Sequence, residues 1–137
     1  MNSDELVDNF SLFVDWEDRY NYLIDLGDGL PLMEDALKSE ETKVRGCISQ
    51  AWMVMEWDKE GRMFLLADSD SRIVRGLIAV LRIIFHGKTA EETRKIDIDR
   101  IFKNLGLDQN LTPNRRNGFY AMVERVRSFT AGGMKCS

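Results

Sequence analysis

Residues 72–85, Arg-Ile-Val-Arg-Gly-Leu-Ile-Ala-Val-Leu-Arg-Ile-Ile-Phe, would be apolar around almost the whole circumference of a helix. A surface helix hides only one stripe, so a helix of this kind has to be surrounded by other elements. Asp68-Ser69-Asp70-Ser71 supplies capping side chains ahead of it and Gly87 closes it, which predicts a buried central helix running through Phe85. Its polar exception is a stripe of Arg72, Arg75, Arg82 and His86, expected to reach water or paired acids.

The rest of the chain must supply the covering layers. Residues 3–13 read as a short helix capped by Ser3, with Leu6, Phe10 and Phe13 at helical spacing. Asp15 offers the next cap. Trp16, Tyr20, Leu23 and Gly27 then recur every three or four residues, and Gly27-Asp28-Gly29-Leu30-Pro31 is expected to end that helix. Leu32 to Ser39 reads as a further short helical turn. Residues 40–50 lose the helical period and read as an extended approach to an exposed loop.

Residues 51–57 and 62–67 read as two strands around an Asp58-Lys59-Glu60-Gly61 hairpin turn. Trp52 to Met55 and Met63 to Ala67 are nearly continuous apolar runs. Both strands are therefore expected to be covered on two faces, or covered partly by another chain. After the central helix, Thr89 and Glu92 form a capping box, and a helix from about Asp99 to Leu105 ends at Gly106. Thr112 caps and Pro113 starts a last helix with a buried stripe of Phe119, Met122, Val123, Val126 and Phe129. Gly132-Gly133 marks the start of a frayed tail, from about residue 131, that contains Cys136. Helices, a small antiparallel sheet and more helices make an α+β fold. The 137 residues show no repeat or linker and are expected to form a single domain, 1–137.

Bulk chemistry narrows the function. A net charge of −4 disfavours binding to nucleic acid or to an anionic membrane surface. The apolar runs fall short of the ~18 residues a membrane span needs. The acidic start, Met-Asn-Ser-Asp-Glu, lacks a signal-peptide pattern, so a cytoplasmic location is expected. Two cysteines and one histidine are too few for a disulfide scaffold or an all-Cys/His zinc site.

Cys47 is the position whose surroundings suit reactivity. Gly46 permits a sharp bend and leaves room beside the thiol, and Lys43 and Arg45 upstream favour the thiolate. The thiolate is the nucleophile in sulfur exchange. The residues alone equally fit a small apolar side chain in a loop.

Gly46-Cys47-Ile48-Ser49-Gln50-Ala51-Trp52 resembles the Gly-Cys-Gln-Ser-Gln-Val-Trp signature of the SufE-like sulfur acceptors, a family that includes CsdE. Asp68-Ser69-Asp70 with Ile73 to Val80 looks like the family's second block. Leu111-Thr112-Pro113-Asn114-Arg115 with Gly118 and Ala121-Met122 looks like its third. Trp16 to Tyr20, Leu26-Gly27 and Leu30-Pro31 also fit, so the resemblance spans about Asn9 to Arg127. It departs at Ile48, where the family has a polar residue, and at Asn114, where it has serine.

The resemblance implies the α+β fold shared with the scaffold protein IscU. It implies that Cys47 carries a persulfide received from a SufS- or CsdA-type cysteine desulfurase, stimulates that enzyme, and feeds iron–sulfur cluster assembly on a downstream scaffold. Pyridoxal phosphate belongs to the desulfurase, and no cofactor is assigned to this chain. Gly46, Ser49, Gln50, Asp70 and Arg115 are the residues expected to meet the partner or position the loop. Asp70 is also a candidate cap of the central helix, and Arg115 a surface arginine of a first helical turn. The chain is expected to be a monomer or a weak homodimer. The competing classes are a thiol-dependent hydrolase or redox enzyme and an IscU-like scaffold. The first lacks a Cys-x-x-Cys and a second histidine, and the second lacks ligands.

Overall fold

A computed structural model of the protein describes residues 1–45 and 50–135, with side chains described through Ala131. Among these residues seven helices and a two-stranded antiparallel sheet make an α+β fold. In chain order they are α1 (Ser3–Ser11), α2 (Trp16–Asp28), β1 (Ala51–Trp57), β2 (Met63–Ser69), α3 (Arg72–Phe85), α4 (Ala90–Lys95), α5 (Ile98–Asn104), α6 (Leu107–Asn110) and α7 (Pro113–Lys135).

The all-round apolar helix is the centre, as its composition requires. In α3, Ile73, Val74, Leu77, Ile78, Val80, Leu81, Ile84 and Phe85 are all buried. It packs against α2 on one side, β2 on another, and α1 and α7 beyond them. Burial of each large side chain stabilises the fold by about 1.5–3 kcal/mol. Its N-cap is Ser71, whose hydroxyl accepts from the Val74 amide at 3.5 Å; Asp70 does not cap it. Gly87, at φ +82°, turns the chain back so that its amide donates to the Met63 carbonyl.

The second helix ends within the stretch expected to stop it, Gly27 to Pro31. Gly27 lies buried inside α2, and Gly29 caps it. The burial of Gly27 comes from the α2–α3 crossing. A methyl group on Gly27 would sit 2.6 Å from the Gly76 amide nitrogen, and one on Gly76 would strike the Leu23 carbonyl. The two backbones touch, so hydrogen is the largest side chain either position admits.

β1 and β2 pair from Ala51↔Ser69 to Trp57↔Met63. Asp58 closes the hairpin: its carboxylate accepts from the Glu60 and Arg62 amides, and Gly61 takes φ +75°. Leu65 and Leu66, neighbours on opposite faces, are both buried, so the middle of β2 is covered on two sides. β2 runs two residues beyond its expected end because Ser69 pairs with Ala51.

Smaller elements follow their local signals. Asn2 rather than Ser3 caps α1, accepting from the Glu5 amide at 2.9 Å. Residues 35–37 form a single 3-10 turn. Thr89 and Glu92 form the capping box of α4. Asp97 caps α5, and α6 adds a turn of helix after Gly106 that the sequence pattern does not mark. α7 buries Phe119, Met122, Val123 and Val126, while Phe129 stacks on Trp57 at 5.2 Å. Its backbone stays helical through Gly132-Gly133.

Candidate functional site

Gly46, Cys47, Ile48 and Ser49 lie outside the described residues, and so does Cys136. The site is therefore built from the residues that bring the chain to Cys47 and take it away. On the incoming side, Val44 is buried and its amide donates to the Ala51 carbonyl at 2.8 Å. Lys43 forms an antiparallel bridge with Trp52, and the Met53 amide donates to the Thr42 carbonyl at 2.8 Å. Residues 42–44 thus lie along the edge of β1 opposite β2, and residues 45–50 connect Val44 to Ala51.

The incoming segment is also held from the side. Arg125 on α7 donates to the Lys43 carbonyl at 2.6 Å and to the Glu41 carbonyl at 3.3 Å. Burial lowers its pKa, and the nearby charge of Arg45 lowers it further. Arg45 itself is exposed and ion-paired with Glu40 at 3.2 Å. Two guanidinium groups therefore stand close together at the foot of the segment that leads to Cys47. Positive charge there favours an anion over a neutral thiol.

The outgoing side is fixed through the backbone of Gln50. Its amide donates to the Asp70 carboxylate at 3.1 Å, and the Asp70 amide donates to the Gln50 carbonyl at 3.1 Å. The Ser69 hydroxyl donates to the same carbonyl at 2.6 Å while accepting from the Ser71 amide at 3.1 Å. Asp70 and Gln50, paired in the resemblance only as motif positions, are direct hydrogen-bond partners here. The acid's alternative place as a helix cap belongs to Ser71 instead.

Beneath this ring sits an ionic cluster. Asp68 meets Arg75 Nε at 3.1 Å and Lys38 Nζ at 3.2 Å, and it accepts from the Ser69 amide at 2.8 Å. The Arg75 Nε–H is buried and not aligned for a hydrogen bond, so that contact is an ion pair only. The hydrogen bond to Asp68 raises the Lys38 pKa, and the ammonium rests 5.2 Å from the centre of the Trp52 ring. Lys38 thereby ties the 3-10 turn to the start of β1.

Arg115 stands apart from Arg125. It lies ten positions before Arg125 on α7, roughly 15 Å along the axis. Its amide reaches the Thr112 hydroxyl at 3.4 Å, and its half-buried guanidinium has no hydrogen-bond or ion-pair partner among the described residues. His86 is also remote. It sits beside Leu65, four residues along β2 from Ser69, roughly 13 Å away. Among the described residues no group of three or more His, Cys, Asp or Glu side chains could hold a metal ion.

Sequence reasoning missed Arg125 and the bond from Ser69 to Gln50. Ser69 carried a signal, since it sat in a cluster of capping residues. Arg125 carried none, because its partners are carbonyl oxygens distant in the chain.

The sequence model of the SufE family, described as an Fe-S metabolism associated domain, matches residues 4–130. This chain belongs to the SufE family. An uncharacterized SufE-like protein of Rhizobium meliloti is 41% identical over 132 residues, 94% of each chain. Another from Rhizobium etli is 41% identical over 127 residues, 90% of this chain and 86% of that one. The fold matches the solution structure of a hypothetical protein from Thermus thermophilus with a TM-score of 0.78 at 17% identity, covering 97% of this chain and 96% of that one. The SufE domain associates the chain with iron–sulfur metabolism. Among the described residues no helix is long and apolar enough to cross a membrane.

Proposed function

We propose that this chain is a sulfur acceptor in which Cys47 takes the outer sulfur of a persulfide from a cysteine desulfurase and relays it to iron–sulfur cluster assembly. Three things support the reading: the family, the signature around Cys47, and the way the chain on each side of that cysteine is anchored. The anchoring carries most weight. Val44 is held by β1, Lys43 by α7 and Gln50 by the Ser69-Asp70 corner, so the chain is anchored on both sides of the stretch that carries Cys47.

The chemistry is one exchange. The Cys47 thiolate attacks the terminal sulfur of the desulfurase persulfide. The sulfur–sulfur bond there breaks, its electron pair stays on the desulfurase cysteine as a thiolate, and Cys47 leaves as a persulfide. No outside oxidant or reductant is needed. Arg45, two positions before Cys47 in the chain, supplies positive charge that favours the attacking thiolate. Pyridoxal phosphate acts in the desulfurase, whose turnover rises as its own cysteine is cleared. Gly46, Ser49 and Arg115 are assigned to contact with that enzyme, and Asp70 to holding Gln50 during it. The chain acts as a carrier and activator, not as an enzyme, in the cytoplasm.

The test is an intact mass taken without reductant after incubation with desulfurase, pyridoxal phosphate and cysteine. The wild type and Cys136→Ser are expected to gain one sulfur, and Cys47→Ser none. A sulfur gain by Cys47→Ser, or no rise in sulfide release with the wild type, would overturn the proposal.

A further inference from the structure

At the end of β2 away from the Cys47 segment, α3 turns off the sheet at His86. The imidazole is held between two donors. The Leu65 amide donates to Nδ1 at 3.1 Å, and the Arg82 guanidinium stands 3.3 Å from Nε2. A neutral imidazole has one proton and one lone pair. With the lone pair of Nδ1 taken by Leu65, the proton is on Nε2, and it faces another N–H. Moving the proton to Nδ1 only moves the conflict to the backbone. One donor–donor contact remains in either tautomer, and an acceptor between Arg82 and Nε2 removes it.

The charge balance points the same way. Arg72 and Arg75, from the same stripe, each meet a carboxylate, Asp28 at 2.8 Å and Asp68 at 3.1 Å. Arg82 is partly buried and spends Nε on the Leu65 carbonyl at 2.9 Å, yet among the described residues no carboxylate lies in ion-pair reach of it. A half-desolvated cation without a counter-ion is an unfavourable arrangement that a bound anion relieves.

The space for a ligand is present. Arg82 and His86 line a cleft of about 360 Å³ between α3 and the end of α2, walled by Leu26, Leu30, Ala79 and Ile83. Two convergent donors at one place and aliphatic walls elsewhere describe a pocket for a molecule with one charged end. We propose that this cleft binds a small aliphatic carboxylate, its oxygens accepting from Arg82 and from His86 Nε2–H and its carbon chain lying along Leu26, Leu30 and Ile83. The site is independent of the sulfur chemistry.

Titration of the full chain with hexanoate, followed by amide and side-chain NMR, tests this. Saturable shifts are expected at the Leu65 amide, Arg82 Nε and the Leu30 and Ile83 methyl groups. Hexanol, which lacks the charge, and inorganic phosphate, which lacks the tail, should each bind at least about tenfold more weakly. Arg82→Lys should weaken hexanoate about tenfold. Because that change also removes the bond to Leu65, Leu30→Glu serves as the second variant: it leaves the Arg82 and His86 contacts in place and repels the ligand. No saturable shift with hexanoate, equal binding of phosphate, or unchanged binding by Leu30→Glu would each overturn the site.

Discussion

The α2–α3 crossing and the base of the Cys47 segment are held together in opposite ways. At the crossing, Gly27 and Gly76 bring two backbones into contact, and there is no room for a methyl group on either side. At the base, the side-chain links are hydrogen bonds: Gln50 with Asp70 in both directions, Ser69 to Gln50, and Arg125 to Lys43 and Glu41. Packing contacts are all-or-none, because a displaced helix loses dispersion along its whole length. Hydrogen bonds at a surface contribute about 1 kcal/mol each and can be exchanged for water. The molecule thus combines a joint fixed by backbone packing with a segment whose ends are held by hydrogen bonds.

The sharpest way to break this comparison is Gly76→Ala. Alanine is the better helix former by about 1 kcal/mol. Overpacking against the Leu23 carbonyl is expected to outweigh that gain and leave a net loss of roughly 2–4 kcal/mol, read as a lower urea midpoint. Gly29→Ala, where the nearest atom is an ordinary 3.5 Å away, should be close to neutral. Equal effects of the two changes would remove the rigid joint from the account.

Arg125→Leu comes next. Loss of its charged hydrogen bonds to Lys43 and Glu41 should cost about 1–2 kcal/mol. It should also speed hydrogen exchange at the Val44 and Met53 amides, which pair this segment with β1. Unchanged exchange at those amides would show that α7 does not hold the segment.

Asp70→Ala should cost about 1 kcal/mol or less. Its signature is faster exchange at Gln50 with none at Val74, since Ser71 and not Asp70 caps α3. Loss of protection at Val74 would return Asp70 to the capping role.

The smallest effect belongs to His86. Burial, and then the Arg82 charge, depress its pKa below the usual histidine value. The unfolded chain therefore takes up a proton below about pH 6.5 that the folded chain refuses, and stability falls as pH drops from there toward the lower folded value. Urea midpoints at pH 7.5, 6.5 and 5.5 should show this slope in the wild type and a flatter one in His86→Gln.

Much of the architecture was legible because its signals are local. The capping box at Thr89 and Glu92, the hairpin at Asp58 to Gly61 and the stop at Gly87 each need only a few adjacent residues to satisfy nearby amides and carbonyls. The all-round apolar face of residues 72–85 left α3 no place but the interior. The close approach at Gly27 was not legible, because nothing within its own helix says that another glycine lies against it.

By itself the amino-acid order determined the element types, the buried helix and the cysteine that the signature singles out, since propensity, capping and hydrophobic period act over a single turn or strand. Only the tertiary structure decided that Asp70 grips Gln50, that Arg125 reaches back to Lys43, and that Arg82 and His86 share a cleft. Those pairings join residues 20 and 82 positions apart, or depend on which helix packs beside which. Charge and hydrogen-bonding capacity are written in a side chain, but its partner is chosen by how the core packs.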